Sequence, residues 1–193
     1  MNEISKPKMD LKIPLEGSRN WKGIVWHHSA SPDGKTRDWD GIVKYHTSYR
    51  IDFDIVSAGE FERRRASHQG KVFQKPWKAV GYNGGTEIIG DAPAFFWGRP
   101  LNMIGAHAGV EGVSNLFNEN YIGLCAIGNY DSEPPSLDLW DFNLQLTRSL
   151  MAAFQISKEH VIGHREVFDR LGVPRQKTCP GLKFDLNRFR ESL

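Results

Sequence analysis

One short stretch near the end of the chain, residues 161–181 (VIGHREVFDRLGVPRQKTCPG), constrains the rest most strongly, because it gathers a histidine, a lysine and a cysteine. His164 follows the apolar pair Val161-Ile162 and then Gly163, which places it at the exit of a buried strand. Cys179 stands before Pro180-Gly181, a pair that stops regular structure and fixes a loop. The polar segment between them contains Pro174 and reads as a connection folded back on itself. A neutral imidazole and a thiolate held together supply two ligands of a zinc site, and Lys177 can reach the same space. The remainder of the chain then has to supply a third ligand.

Bulk properties exclude several classes. At 193 residues one domain is expected, with material for a proper core. A net charge of +2 and basic residues that are not gathered into a stripe give no nucleic-acid signature. The two cysteines, Cys125 and Cys179, are too few for a disulfide framework. Cys125 lies inside the apolar run IGLCAIG and reads as a small buried residue. The first residues, MNEISKPKMDLKIPLEG, have mixed charges and no apolar core, so no secretory signal is expected, and no stretch is long enough to insert in a membrane. The expectation is a monomer made in the cytoplasm, without a separate second domain.

In chain order, residues 1–20 read as an extended arm broken by Pro7 and Pro14. Gly23 to Trp26 is a buried strand that delivers His27 and His28 to its C-terminal end, where ligands gather in open α/β sheets. A polar loop follows to Arg37, containing Pro32, Asp33 and Gly34. A helix begins at Thr36 or Asp38, with Trp39, Ile42, Val43 and His46 on one face; His46 reads as a core or rim histidine. Residues 50–80 read as an insertion over one face of the sheet, with Glu62 to Arg65 a solvated run and residues 70–73 a short edge strand. Residues 87–89 and 94–97 form a hairpin turned at Gly90-Asp91-Ala92-Pro93. His107 sits in GAHAG, among residues too small to crowd it, and a polar loop covers 110–120. Residues 121–127 are a central apolar strand. The strongest helix is capped by Ser136 or Asp138 and buries Trp140, Leu144, Thr147, Leu150, Met151 and Phe154. Residues 160–163 form the last core strand, and a short helix with Asp185 near its start ends the chain. Trp97, Tyr130 and Trp140 read as core. The sum is a single α/β domain, a central mixed β-sheet flanked by helices.

His27, His107, His164 and Cys179 are all candidate metal ligands. Spacing alone does not choose among them, since no HExxH helix and no paired CxxC is present.

The segments VWHHSAS (25–31), GAHAG (105–109), NYIGLCAIGNY (120–130) and IGHREV with KTCPG (162–181) resemble, in order and spacing, the type 2 N-acetylmuramoyl-L-alanine amidases, a family that includes phage lysozyme-type zinc amidases and the peptidoglycan recognition proteins. The likeness spans about residues 22–190, and residues 21–193 are the expected amidase domain. It implies Zn2+ held by His27, His164 and Cys179, with Tyr82 and Lys177 as catalytic residues. It places His107 in the substrate cleft, not on the metal, and makes His28 a second cleft residue. Some members carry a catalytic glutamate where this chain has Cys125; Glu87 does not replace it by position, so the chain looks like the tyrosine-using, phage-like branch. The segment from Ser48 to Lys78 is longer than in compact members. Two neutral imidazoles and a thiolate leave an open position on zinc, the arrangement of a catalytic site. Glu166 is expected to orient the loop after His164 by accepting a hydrogen bond. The implied activity is hydrolysis of the amide between N-acetylmuramic acid and L-alanine of peptidoglycan, as a phage or prophage endolysin acting on the wall after release. A cytosolic amidase recycling anhydro-muropeptides and a non-catalytic peptidoglycan-binding module are the alternatives.

Overall fold

The computed structural model describes residues 11–31 and 38–193. Strand β1 (Gly23–His28) is followed by helix α1 (Trp39–His46), strands β2 (Tyr49–Ile51) and β3 (Asp54–Val56), helix α2 (Ala58–Ala66) and strand β4 (Phe73–Gln74). A hairpin of β5 (Gly84–Ile89) and β6 (Ala92–Trp97) comes next. Helix α3 (Leu116–Asn120) runs directly into β7 (Tyr121–Ala126), and α4 (Leu137–Phe154), β8 (Val161–Gly163), α5 (His164–Leu171) and α6 (Leu186–Glu191) follow. The main sheet has the order β6-β5-β7-β1-β8, parallel except for the β5–β6 hairpin. This is the expected mixed sheet, with β7 at its centre.

Alternation along the strands sorts the sheet into two buried faces. Ile24, Trp26, Ile122, Leu124, Ala126 and Val161 join Leu146 and Leu150 of α4 and Phe189 of α6 in the largest core. On the other face Val25 and Ile162 pack with Val167 and Phe168 of α5, and Cys125 packs with Trp39 and Ile42 of α1. Both faces of β1 and β7 are therefore covered, which is why GIVWHH and YIGLCA are buried throughout. Helix α1 is capped at Asp38, whose side chain accepts from Gly41 N, and Glu87 accepts from Trp39 N at 3.0 Å. The expected loop at residues 32–34 and a helix start at Thr36 fall outside the described residues.

Three readings change. The segment after His164 is helix α5, not a polar connection; Val167, Phe168 and Leu171 bury one side and Gly172 ends it at φ +67. The apolar face of α4 is rotated: Leu139, Asn143 and Leu146 are buried with Leu144, Thr147 and Leu150, while Trp140, Met151 and Phe154 lie at its margin. Trp97, read as core, is 36% exposed on the edge strand β6. Residues 49–74 form a second, three-stranded antiparallel sheet in the order β3-β2-β4, with α2 packed on it through Phe61. The basic run lies on α2, with Arg63 paired to Glu60 at 2.8 Å.

Close packing of α1 on the sheet depends on Gly85. A Cβ there would stand 2.2 Å from the Trp39 ring and 3.0 Å from the Cys125 carbonyl oxygen. Gly85→Ala is expected to lower stability by about 1–3 kcal/mol through overpacking. Gly59→Ala, in α2 with nothing within 4 Å of the new Cβ, is expected to raise it by about 0.4–1 kcal/mol. Urea midpoints at unchanged slope would check both.

Candidate metal centre

Parallel pairing aligns His27 of β1 with Cys125 of β7, so both side chains point to the α1/α5 face. His28, one residue on, turns to the opposite face. His164 is the first residue of α5, immediately after β8, and stacks on Phe168 one turn later, ring centroids 5.5 Å apart. Cys179 comes from the loop before α6. The donor atoms of His27, His164 and Cys179 all lie within 4.8 Å of one another, close enough to share one cation.

The supports of each group are local and specific. Gly163 N donates to Glu166 Oε2 at 3.0 Å, and Arg190 of α6 grips both Glu166 oxygens at 2.9 and 3.1 Å. Glu166 thus accepts a hydrogen bond as expected, but it tethers the start of helix α5 at Gly163 and not a loop after His164. The Cys179 loop is tied down by Arg165 N donating to Cys179 O at 2.9 Å. Asp131 accepts from Thr178 Oγ1 at 2.8 Å and from Leu182 N at 2.9 Å. Gly181, at φ +116, lets the loop lie against the Tyr130 backbone, where a Cβ would approach within 2.4 Å.

The electrostatics suit a cation. Burial, reinforced by the neighbouring His164 and His107, holds His27 well below the usual imidazole range. Burial and then Lys177 bring His164 down to about 4. Both rings are neutral at pH 7, with lone pairs to give, and His164 Nε2 is buried without a hydrogen-bond partner among the described residues. Burial pushes the Cys179 thiol up, opposed by the His28 carbonyl contact and by Lys177. A buried thiol of this kind ionises when a bound cation compensates it. The donor set of two imidazoles and one sulfur fits zinc.

Tyr82 stands at the side of this group, its ring centroid 5.0 Å from that of His27. Burial, then Cys125 and Cys179, raise it well above the ordinary phenol range, so it remains protonated. His46 positions it: Gly81 N donates to His46 Nδ1 at 3.1 Å, and the His46 ring lies 5.5 Å from that of Tyr82. Lys177 is exposed on the loop, and its charge reaches both His164 and Cys179.

The two histidines read as cleft residues are both buried. His28 is 3% exposed, accepts from Tyr130 N at 3.1 Å and faces Asp131, across the sheet from the metal group. His107 is 9% exposed and lies behind His27, Nδ1 to Nε2 3.0 Å. Sequence reading missed Asn83 and Asn118, both buried. Asn83 pairs with Gly123 through N–H···O at 2.8 Å and through Oδ1 accepting Gly123 N–H at 2.9 Å. Their signal was only an asparagine in a glycine-rich or polar turn.

The family model for N-acetylmuramoyl-L-alanine amidases matches residues 17–182. The chain belongs to this family. Among curated protein sequences none matches at a significant level. Solved structures of amidases and recognition proteins share the fold of this family member. The amidase LysC from Clostridium intestinale URNW is 22% identical, with a TM-score of 0.55 over 89% of this chain and 85% of that one. The E. coli amidase AmiD, solved with anhydro-N-acetylmuramic acid-L-Ala-D-gamma-Glu-L-Lys, is 15% identical, with a TM-score of 0.53 over 91% of this chain and 58% of that one. The ectodomain complex of peptidoglycan recognition proteins LCa and LCx, bound to tracheal cytotoxin, gives 18% identity and a TM-score of 0.52 over 93% and 86%. No helix among the described residues of this amidase-family chain is long and apolar enough to cross a membrane.

A pH dependence follows for the metal-free protein. His46, buried and next to the Arg50 and Arg99 charges, and His164 are both lowered from 6.5 to about 4. Between those values the unfolded chain takes up protons that the native state does not, so stability is full above pH 6.5 and is lost as pH falls toward 4. Each unit of depression is worth about 1.4 kcal/mol. In chelator-treated protein, denaturation midpoints are expected to fall steeply through this window. His46→Asn, which keeps an acceptor for Gly81 N–H, should flatten the slope; an unchanged slope would refute a neutral, buried His46.

Proposed function

We propose that this chain is a zinc-dependent amidase that hydrolyses the bond between N-acetylmuramic acid and L-alanine of peptidoglycan. The observation that carries the reading is the convergence of His27, His164 and Cys179 from three separated parts of the chain, with Tyr82 and Lys177 beside them. The site fits zinc by the chemistry of its donors, and zinc, when bound there, supplies a Lewis acid and water activation near neutral pH.

The chain's own residues divide the remaining work. His27 and His164 offer neutral nitrogens and Cys179 a thiolate. Tyr82, kept as a phenol by its burial, is placed to hydrogen-bond the attacking water and to pass on its proton. Lys177 holds a positive charge on the open side, where it stabilises negative charge developing on the scissile carbonyl oxygen. An ordinary amide needs no covalent intermediate in such a site. His28 and His107, both buried, act through the residues they hold and not by touching the sugar or peptide.

The setting we propose is a phage or prophage endolysin acting on the cell wall. Its support is the tyrosine-containing site with Cys125 at the position of the glutamate that some relatives carry. The additional sheet of residues 49–74 is read as an insertion beside the Tyr82 segment, joined to it where Trp77 N donates to His46 O at 3.0 Å.

Product analysis on purified sacculi tests the activity. New N-terminal L-alanine without new reducing ends, lost on chelation and restored by zinc, is expected; tight binding without either product would make the chain a recognition module. Cys179→Ser is expected to release most of the zinc, and one retained equivalent by metal analysis would refute the ligand set. Tyr82→Phe is expected to keep zinc and lose about 10²-fold or more in turnover; an unchanged rate would remove Tyr82 from the mechanism.

A further inference from the structure

The ring of His107 sits in a slot built for it. His107 N and Ala108 N both donate to Asn118 Oδ1, at 2.7 and 2.8 Å, which locks the loop. Two glycines, one in the same loop and one on β7, clear the space: a Cβ on Gly105 would stand 2.4 Å from His107 Cδ2, and one on Gly123 would stand 2.3 Å from it. Held there, His107 Nε2 lies 3.1 Å from the Tyr121 carbonyl oxygen, and Nδ1 lies 3.0 Å from His27 Nε2.

Donor and acceptor rules orient this line of atoms. A carbonyl oxygen only accepts, so His107 Nε2 must carry its hydrogen. A neutral imidazole has one N–H, so His107 Nδ1 is an acceptor and His27 Nε2 must donate to it. Neutral His27 is then left with its lone pair on Nδ1. We propose that the line from the Tyr121 carbonyl through His107 to His27 is a positioning relay that fixes His27 in the Nε2–H tautomer and presents its Nδ1 to the metal. His107 is thus a positioning residue. A metal-ligating imidazole is neutral, and with each contact of the line taking one hydrogen, the two distances leave a single assignment of donors and acceptors. The relay also accounts for the glycines that flank the ring.

This inference rests on the zinc reading above, and the test separates the two. In metal-free wild-type protein, ¹⁵N–¹H correlation of the imidazoles is expected to show His27 and His107 both as Nε2–H tautomers; Nδ1–H on either ring overturns the relay whether or not zinc binds. Zinc affinity is then measured by chelator competition. His107→Leu, which removes the acceptor, is expected to weaken zinc binding by about 10–100-fold. His107→Asn, whose Oδ1 can accept from His27 Nε2–H, is expected to recover most of that loss. Wild-type affinity in folded His107→Leu, or equal losses in both variants, overturns the proposal. If wild-type protein binds no zinc, the metal reading fails, and the tautomer measurement still decides the relay; it also decides if His107→Leu does not fold.

Discussion

The residue-by-residue register of β1 on β7 and β8 is the constraint on which the site depends. Strand side chains alternate, so a slip of one residue would exchange His27 with His28 and Cys125 with a neighbour. His27 would then face the α4 core and His28 the α5 side. The register is secured by burial on both faces. Trp26, fully buried, fills the α4/α6 side against Phe184 and Phe189, with its Nε1 donating to Thr147 Oγ1 at 3.2 Å. Val25 fills the α5 side. The alternative register would place large apolar and polar groups on the wrong faces at once.

Desolvation does the second part of the work. A water-exposed histidine pair would share its time between protonated and neutral forms, and an exposed thiol would titrate freely. Packing holds the imidazoles neutral and leaves the thiol reluctant to ionise alone, so the pocket favours an occupant that brings positive charge and accepts electron pairs. The cost of burying these groups is offset locally by backbone bonds, such as those at Glu166, Asp131 and Asn118, that keep the surrounding loops from relaxing.

Much of this was legible in the sequence, for physical reasons. The strands announced themselves because apolar runs such as GIVW and YIGLCA have no other stable use, and the hairpin because its turn carries Gly90-Asp91. The grouping of His27, His164 and Cys179 was suggested only by a recurring set of segments; spacing could not choose among four candidates. What stayed hidden depended on tertiary partners. Helix α5 was obscured by its charged face, although Val167, Phe168 and Leu171 mark its buried side. The rotation of α4 was decided by which neighbours filled the sheet. The burial of His28 and His107 followed from residues far away in the chain, Tyr130 and Tyr121, and no local pattern could show it.

The salt bridge from Arg190 to Glu166 has a consequence for the order of events. It places the last helix under the start of α5, while His27 lies on the first strand. The cation-binding corner is therefore assembled only when both ends of the chain have met. By linkage, a cation bound there would favour the finished fold over a partly formed one that lacks the full donor set. A metal held there would act as a clasp between strand β1, helix α5 and the loop before α6, and its removal would loosen all three together.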